Sequence, residues 1–167
     1  MTLSNANTEP FAVVGFLRDD RLMPQDRLET SINLDFCTKQ VQNLFICDCV
    51  DRALHHVETD FRSTNAVKVA RSFFNHNATS LDLELAREEA LAAALEATDV
   101  DAVTSATVAA WLTTTDNIGI AVVQGASWAV AWATETDERD ALSAREDEAT
   151  WQCHHLADMI EASDSNG

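Results

Sequence analysis

Two groups of side chains carry the reactive chemistry of this sequence. Cys47, Cys49, His55 and His56 stand close together, and Cys153, His154 and His155 are consecutive. Together with Asp51 these are the residue types that ligate zinc, or that pair a thiolate with an acid–base partner. Their spacing argues against one shared ion. On a helix, residues two apart diverge by about 200° and neighbours by about 100°, so Cys47 and Cys49 point apart, as do His55 and His56. Asp51 and His55, at i and i+4, are the best same-face pair. A nucleophilic cysteine also needs an electropositive niche, whereas Cys49 stands beside Asp48 and Asp51. No catalytic residue, metal or cofactor is therefore assigned. A helical metal- or redox-dependent enzyme using Cys49, Asp51, His55, Cys153 and His155 is the alternative.

The charged residues point elsewhere. The chain has 28 Asp and Glu against 11 Lys and Arg, a net charge of −17. Residues 1–90 hold nine basic and 14 acidic residues, a net of −5, and residues 91–167 hold two against 14, a net of −12. Such a field repels nucleic acid and anionic membranes and attracts cationic partners. The sharpest concentration runs through Glu135, Asp137, Glu138 and Asp140 and continues at Glu146, Asp147 and Glu148. These seven form a candidate acidic face for a basic protein. In the first half, Asp48 precedes Arg52 by one turn, and Asp60, Arg62 and Arg71 surround a turn between two helices, which predicts an ion-pair network fixing that turn.

These groups are carried by helices. Gly (4) and Pro (2) are scarce, Ala is abundant, and hydrophobic residues make up 46 % of the 167, enough for one folded domain. Apolar residues recur at helical spacing from Leu34 to Val57, with Asn33 or Asp35 as cap, and again at Ala66, Val67, Ala70, Phe73 and Phe74, with Ser63 or Thr64 as cap. Further helices are predicted to open at Thr79 or Ser80, at Asp99 or Asp101, at Asp116 and at Thr136. Gly125 and Ala129 mark a face where another helix approaches closely, and Trp111, Trp128, Trp132 and Trp151 fall on faces expected to be core. The predicted fold is all-α, an antiparallel bundle or stack of helical hairpins of about six helices over residues 31–163. An irregular arm or short extended segment over 1–30 precedes it, and a polar tail over 164–167 follows.

No basic flank precedes an apolar run near the N-terminus, so no signal peptide is expected. The four cysteines do not form a disulfide framework, and a cytoplasmic location is predicted. The uncharged stretch from Ile118 to Thr134 is better read as a buried helix than as a membrane span.

Asp48-Cys49-Val50-Asp51-Arg52-Ala53-Leu54 resembles the acid-Cys-small-acid-Arg-x-Leu signature of a family of small all-helical immunity proteins of bacterial toxin systems. The segment from Asp60 to Arg71 is similar to that family's next motif, Asp-x-Arg-Pro followed by an Ala-Ile/Val-x-x-Ala-Arg helix, with Ser63 in place of Pro. Trp151-Gln152-x-x-x-Leu156 is similar to its C-terminal pattern. The chain departs from the family in lacking a His/Gly/Ala-rich fifth helix. The resemblance spans roughly residues 34–161 and implies a role in binding and neutralising a toxin. The resulting expectation is a non-enzymatic immunity-type protein that neutralises a cationic toxin or nuclease, with homo-oligomerisation allowed. A structural or oligomeric protein of a salt-adapted organism is a further alternative, drawn from the acidity and from the presence of only two lysines, Lys39 and Lys68.

Overall fold

A computed structural model describes residues 10–33, 37–57, 60–97, 108–110, 112–114, 119–135 and 140–165. The fold is all-α, and no strand occurs among the described residues. The helices with described bounds are α1 (Pro10–Leu17), α2 (Pro24–Asn33), α3 (Lys39–His56), α4 (Phe61–Phe74), α5 (Ser80–Glu96), α6 (Ile120–Thr134) and α7 (Ala141–Asp164). Residues 108–110 belong to one further helical segment.

The expected irregular arm is replaced by α1 and α2. Val13, Val14 and Leu17 fall at i, i+1 and i+4, so the apolar run that could have been a strand has one buried helical face. Pro10 and Pro24 occupy first helical positions, where a missing N–H costs nothing. Both helices pack on α7. Arg18 ties the end of α1 to it through Asp158 (2.6 Å) and Glu161 (2.9 Å). Arg27 is buried on α2 and donates from Nη1 to the Leu17 carbonyl at 2.6 Å.

α3 is the central element. It contacts α4, α6 and α7 and buries Phe45, Ile46, Val50, Ala53 and Leu54. Burying the four larger side chains contributes about 2 kcal/mol each, so the core is centred here. α6 supplies Val122, Val123, Ala126, Ala129 and Val130 to it, and α7 supplies Ala149, Cys153, Leu156, Ala157 and Ile160.

Helix starts follow side-chain acceptors. Thr38, not Asn33 or Asp35, caps α3 by accepting from the Val41 N–H at 3.2 Å. Asp60, not Ser63 or Thr64, caps α4 by accepting from the Arg62 N–H at 2.8 Å, and Ser63 is buried one turn inside. Thr79 and Asp82 form a reciprocal capping box at α5. α6 starts after Gly119, and Asp116 lies outside the described residues. Asp140, not Thr136, caps α7 through the Ser143 N–H at 2.8 Å. The helix predicted after Asp99 or Asp101 falls largely outside the described residues. α7 runs through Asp164, into the expected polar tail.

A Cβ placed on Gly125 meets nothing within 4 Å, so that glycine does not mark a close helix approach. α6 and α7 are joined instead by a buried hydrogen bond from Ser127 Oγ to Gln152 Oε1 at 2.9 Å.

Candidate functional site

The middle of α3 meets the middle of α7 at an open cleft of about 370 Å³, lined by Asp48, Asp51, Arg52, His55, His56, Trp151 and His155. Helical geometry brings these residues together: 48, 51, 52 and 55 share one face of α3, and 151 and 155 stand one turn apart on α7.

Asp48 is the hub. Its Oδ2 accepts from His155 Nε2 at 2.8 Å, and its Oδ1 accepts from Arg71 Nη1 on α4. Arg71 Nη2 also reaches Asp51 Oδ2 at 3.3 Å. Burial pushes the Asp48 carboxyl up, but the hydrogen bonds from His155 and Arg71 outweigh it and hold the group below its ordinary value. His155 stacks on Trp151 at 4.9 Å with 12° between planes. Arg52 lies over the same indole, its guanidinium carbon 4.3 Å from the ring centre, and its Nε donates to Glu148 Oε2 at 2.9 Å. His55 Nδ1 donates to the Asp51 carbonyl at 2.6 Å, an intrahelical bond that turns its ring along α3.

This corrects the expected pairing of Arg52 with Asp48. Asp48 is taken by His155 and Arg71, and Arg52 turns to Glu148. Glu148 therefore leaves the acidic face to which it was assigned: it is buried, on the inward stripe with Ala144 and Gln152. That four-residue spacing was visible in the sequence, but a run of acids around it hid the pattern. Asp60 and Arg62 pair locally at 2.6 Å, and Arg62 also reaches Glu96, joining the start of α4 to the end of α5.

The thiols take no part in the cleft. Cys47, Cys49 and Cys153 are buried. Burial pushes Cys47 up to about 12 and Cys153 up to about 11, and raises Cys49 as well. Thiols so protonated are poor nucleophiles, and none of the three lines the cleft. Among the described residues no group of three or more His, Cys, Asp or Glu side chains is arranged to hold a metal. His155 is oriented by a carboxylate, as a general base would be, but among the described residues no hydroxyl or thiol lines the cleft to be activated. The cluster can hold charge and present an aromatic edge.

The remaining acidic-face residues lie at the other end of α7. Glu135, Asp140, Glu146 and Asp147 are exposed around the α6–α7 corner, while Asp137 and Glu138 lie outside the described residues. Here the tryptophans divide: Trp151 packs against the core as expected, and Trp132 departs from the expectation. Trp128 and Trp151 are only half-buried and Trp132 is 39 % exposed; the Trp111 side chain lies outside the described residues. Trp128 and Trp132 stack at 5.2 Å, and Arg145 from α7 covers Trp128 at 4.5 Å. That contact ties α7 to α6, and Leu142 in the first turn of α7 is exposed as well.

No family model, curated protein or solved structure matches the chain. No helix among the described residues is long and apolar enough to cross a membrane.

Proposed function

We propose that the chain is a non-enzymatic binding protein of the immunity type, which captures and neutralises a cationic protein partner, a toxin or a nuclease, at the α6–α7 corner. One observation carries this reading: an exposed tryptophan, Trp132, stacks on Trp128 near the end of α6, and the acids Glu135, Asp140, Glu146 and Asp147, in the stretch that follows it in sequence, are exposed. Aromatic anchors of this kind dominate protein interfaces, and a like-charged rim steers and selects an oppositely charged partner. The net charge of −17 adds a long-range attraction for a basic surface. The similarity of the Asp48–Leu54 and Asp60–Arg71 segments to immunity-protein motifs supports the same reading. In this scheme the α3–α7 cluster is the scaffold that fixes α7 at the corner. The arrangement of hairpins as a bundle of about six principal helices, closed at one end by this acidic face, belongs to the same proposal.

The test is affinity capture from the native host, using the wild-type chain, Trp132→Ala and the double variant Glu135→Gln/Glu146→Gln. The expected result is one basic protein retained by wild type, released by rising salt and weakened at least about tenfold by Trp132→Ala. A retained partner that is acidic, or whose binding is indifferent to salt and to both variants, would overturn the proposal.

A further inference from the structure

α5 carries a second surface, separate from the acidic corner. Its inner side is a row of buried alanines, Ala86, Ala90 and Ala93, packed against α4. Its outer side holds Leu81, Leu85, Leu91 and Leu95, which are 66, 53, 37 and 78 % exposed. At about 100° per residue these four leucines fall within one arc of about 120°, opposite the alanines. Small residues inside and large apolar residues outside invert the usual arrangement of a helix at the edge of a fold. Four large exposed leucines on one helix face mark an interaction surface, here interrupted by two acids. Phe61, 73 % exposed, stands at the same end of the α4–α5 hairpin as Leu95, because Arg62 bonds Glu96 there.

Charge decides what covers the stripe. Glu84 and Glu88 are exposed and fall inside the leucine arc, whereas Arg87 falls outside it. Residue 88 is the midpoint between Leu81 and Leu95. A second copy of α5 laid leucine against leucine would therefore set Glu88 against Glu88 in either orientation. Two chains of net charge −17 add general repulsion. A helix with its own leucine stripe and with Lys or Arg opposite Glu84 and Glu88 meets no such penalty and gains paired charge.

We infer that the outer face of α5 is a docking site for a basic amphipathic helix of another protein. Recognition combines leucine packing along one helix face with cationic side chains that meet Glu84 and Glu88, a helix-on-helix mode. The surface stands independently of the α6–α7 corner, whose variants should leave it intact.

The experiment titrates the full chain with a synthetic peptide of about 18 residues, with leucine at i, i+4, i+7 and i+11 and lysine flanking the stripe. Two control peptides replace lysine by glutamate, or leucine by serine. The basic peptide should bind wild type, and both controls should bind at least about tenfold more weakly. Leu85→Ser/Leu95→Ser alters exposed side chains only, so far-UV circular dichroism should be unchanged while peptide affinity falls about tenfold or more. Glu84→Gln/Glu88→Gln should weaken binding about fivefold and flatten its salt dependence. The inference is overturned if the basic peptide does not bind, or if it binds the leucine variants as tightly as wild type, which would mark general attraction to an acidic protein. It is equally overturned if light scattering shows a wild-type dimer that Leu85→Ser/Leu95→Ser converts to a monomer, since a second copy would then occupy the face.

Discussion

Arg52 and Glu148 are 96 residues apart in sequence, and 2.9 Å separates Nε of one from Oε2 of the other. The bond pins the middle of α3 to α7, with the carboxylate buried and the guanidinium resting on Trp151. Glu148 keeps its other oxygen, Oε1, buried without a hydrogen-bond partner. Such a pair fixes geometry more than it adds net stability, because burying the carboxylate offsets most of the attraction.

Arg52→Ala should therefore be costly, at about 2 kcal/mol in urea denaturation, because it strands a buried carboxylate and uncovers Trp151. Arg52→Met/Glu148→Leu, which removes both charges and keeps apolar volume, should recover most of that loss. A double variant no more stable than Arg52→Ala would show that the ion pair itself stabilises the fold.

Asp48 sets the acid limit of the same cluster. Its folded-state pKa lies below the ordinary value, so it contributes stability that is present above the unfolded value and is lost as pH falls through the folded one. Unfolding free energy should stay level from neutral pH down to about 5 and fall between about pH 4 and 2. Asp48→Asn should lower stability at pH 7 and flatten that fall. An unchanged acid limb in Asp48→Asn would mean that other depressed carboxylates, such as Asp19, held at about 2 by Arg21, control it.

Local signals were legible in the sequence, and contacts across helices were not. Thr79-x-x-Asp82 announces its capping box, and the Ala66, Val67, Ala70 stripe announces the buried side of α4. α1 was hidden because Val13, Val14 and Leu17 sit in a run apolar on nearly every side, where helix and strand patterns overlap. The partial exposure of the tryptophans was hidden for a different reason. Arg52 and Arg145 cover Trp151 and Trp128 from other helices, so these rings are shielded on one face by guanidinium groups and stay only half-buried. Arg52 had a good local partner one turn away, and only the fold shows that Asp48 is already committed to Arg71 and His155.

His76 ends α4 with φ of 60°, the left-handed region that disfavours side chains branched at Cβ. Its N–H bonds the Phe73 carbonyl at 2.9 Å, so the turn is held by backbone. His76→Val should cost about 1 kcal/mol, and His76→Gly should cost nothing or stabilise slightly. Thermal melts of the two variants should move in opposite directions; equal loss in both would assign His76 a side-chain role.

Thiol reactivity should divide the cysteines. Cys47, Cys49 and Cys153 are buried with raised pKa values, whereas Cys37 is partly exposed. At pH 8 in native buffer an aromatic disulfide reagent should titrate one thiol quickly and the other three only with unfolding. Rapid modification of Cys49 or Cys153 in the folded chain would favour the redox reading.

Salt should act with opposite signs on stability and on partner binding. The net charge of −17 repels itself in the folded state, most strongly through residues 91–167, and added salt screens that repulsion. The melting temperature should therefore rise with NaCl, and Glu135→Gln/Glu146→Gln should raise it most at low salt. The same screening weakens attraction between the α6–α7 corner and a basic partner, so affinity should fall over the range in which stability rises. Salt adaptation alone gives the stability slope without the affinity slope. Measuring both on one preparation separates the two: a steep loss of partner affinity with salt, removed by Glu135→Gln/Glu146→Gln while Trp132 is kept, assigns the acids at the corner to recognition. A partner held equally well across the salt range would leave those acids with a solvation role and Trp132 as the sole anchor.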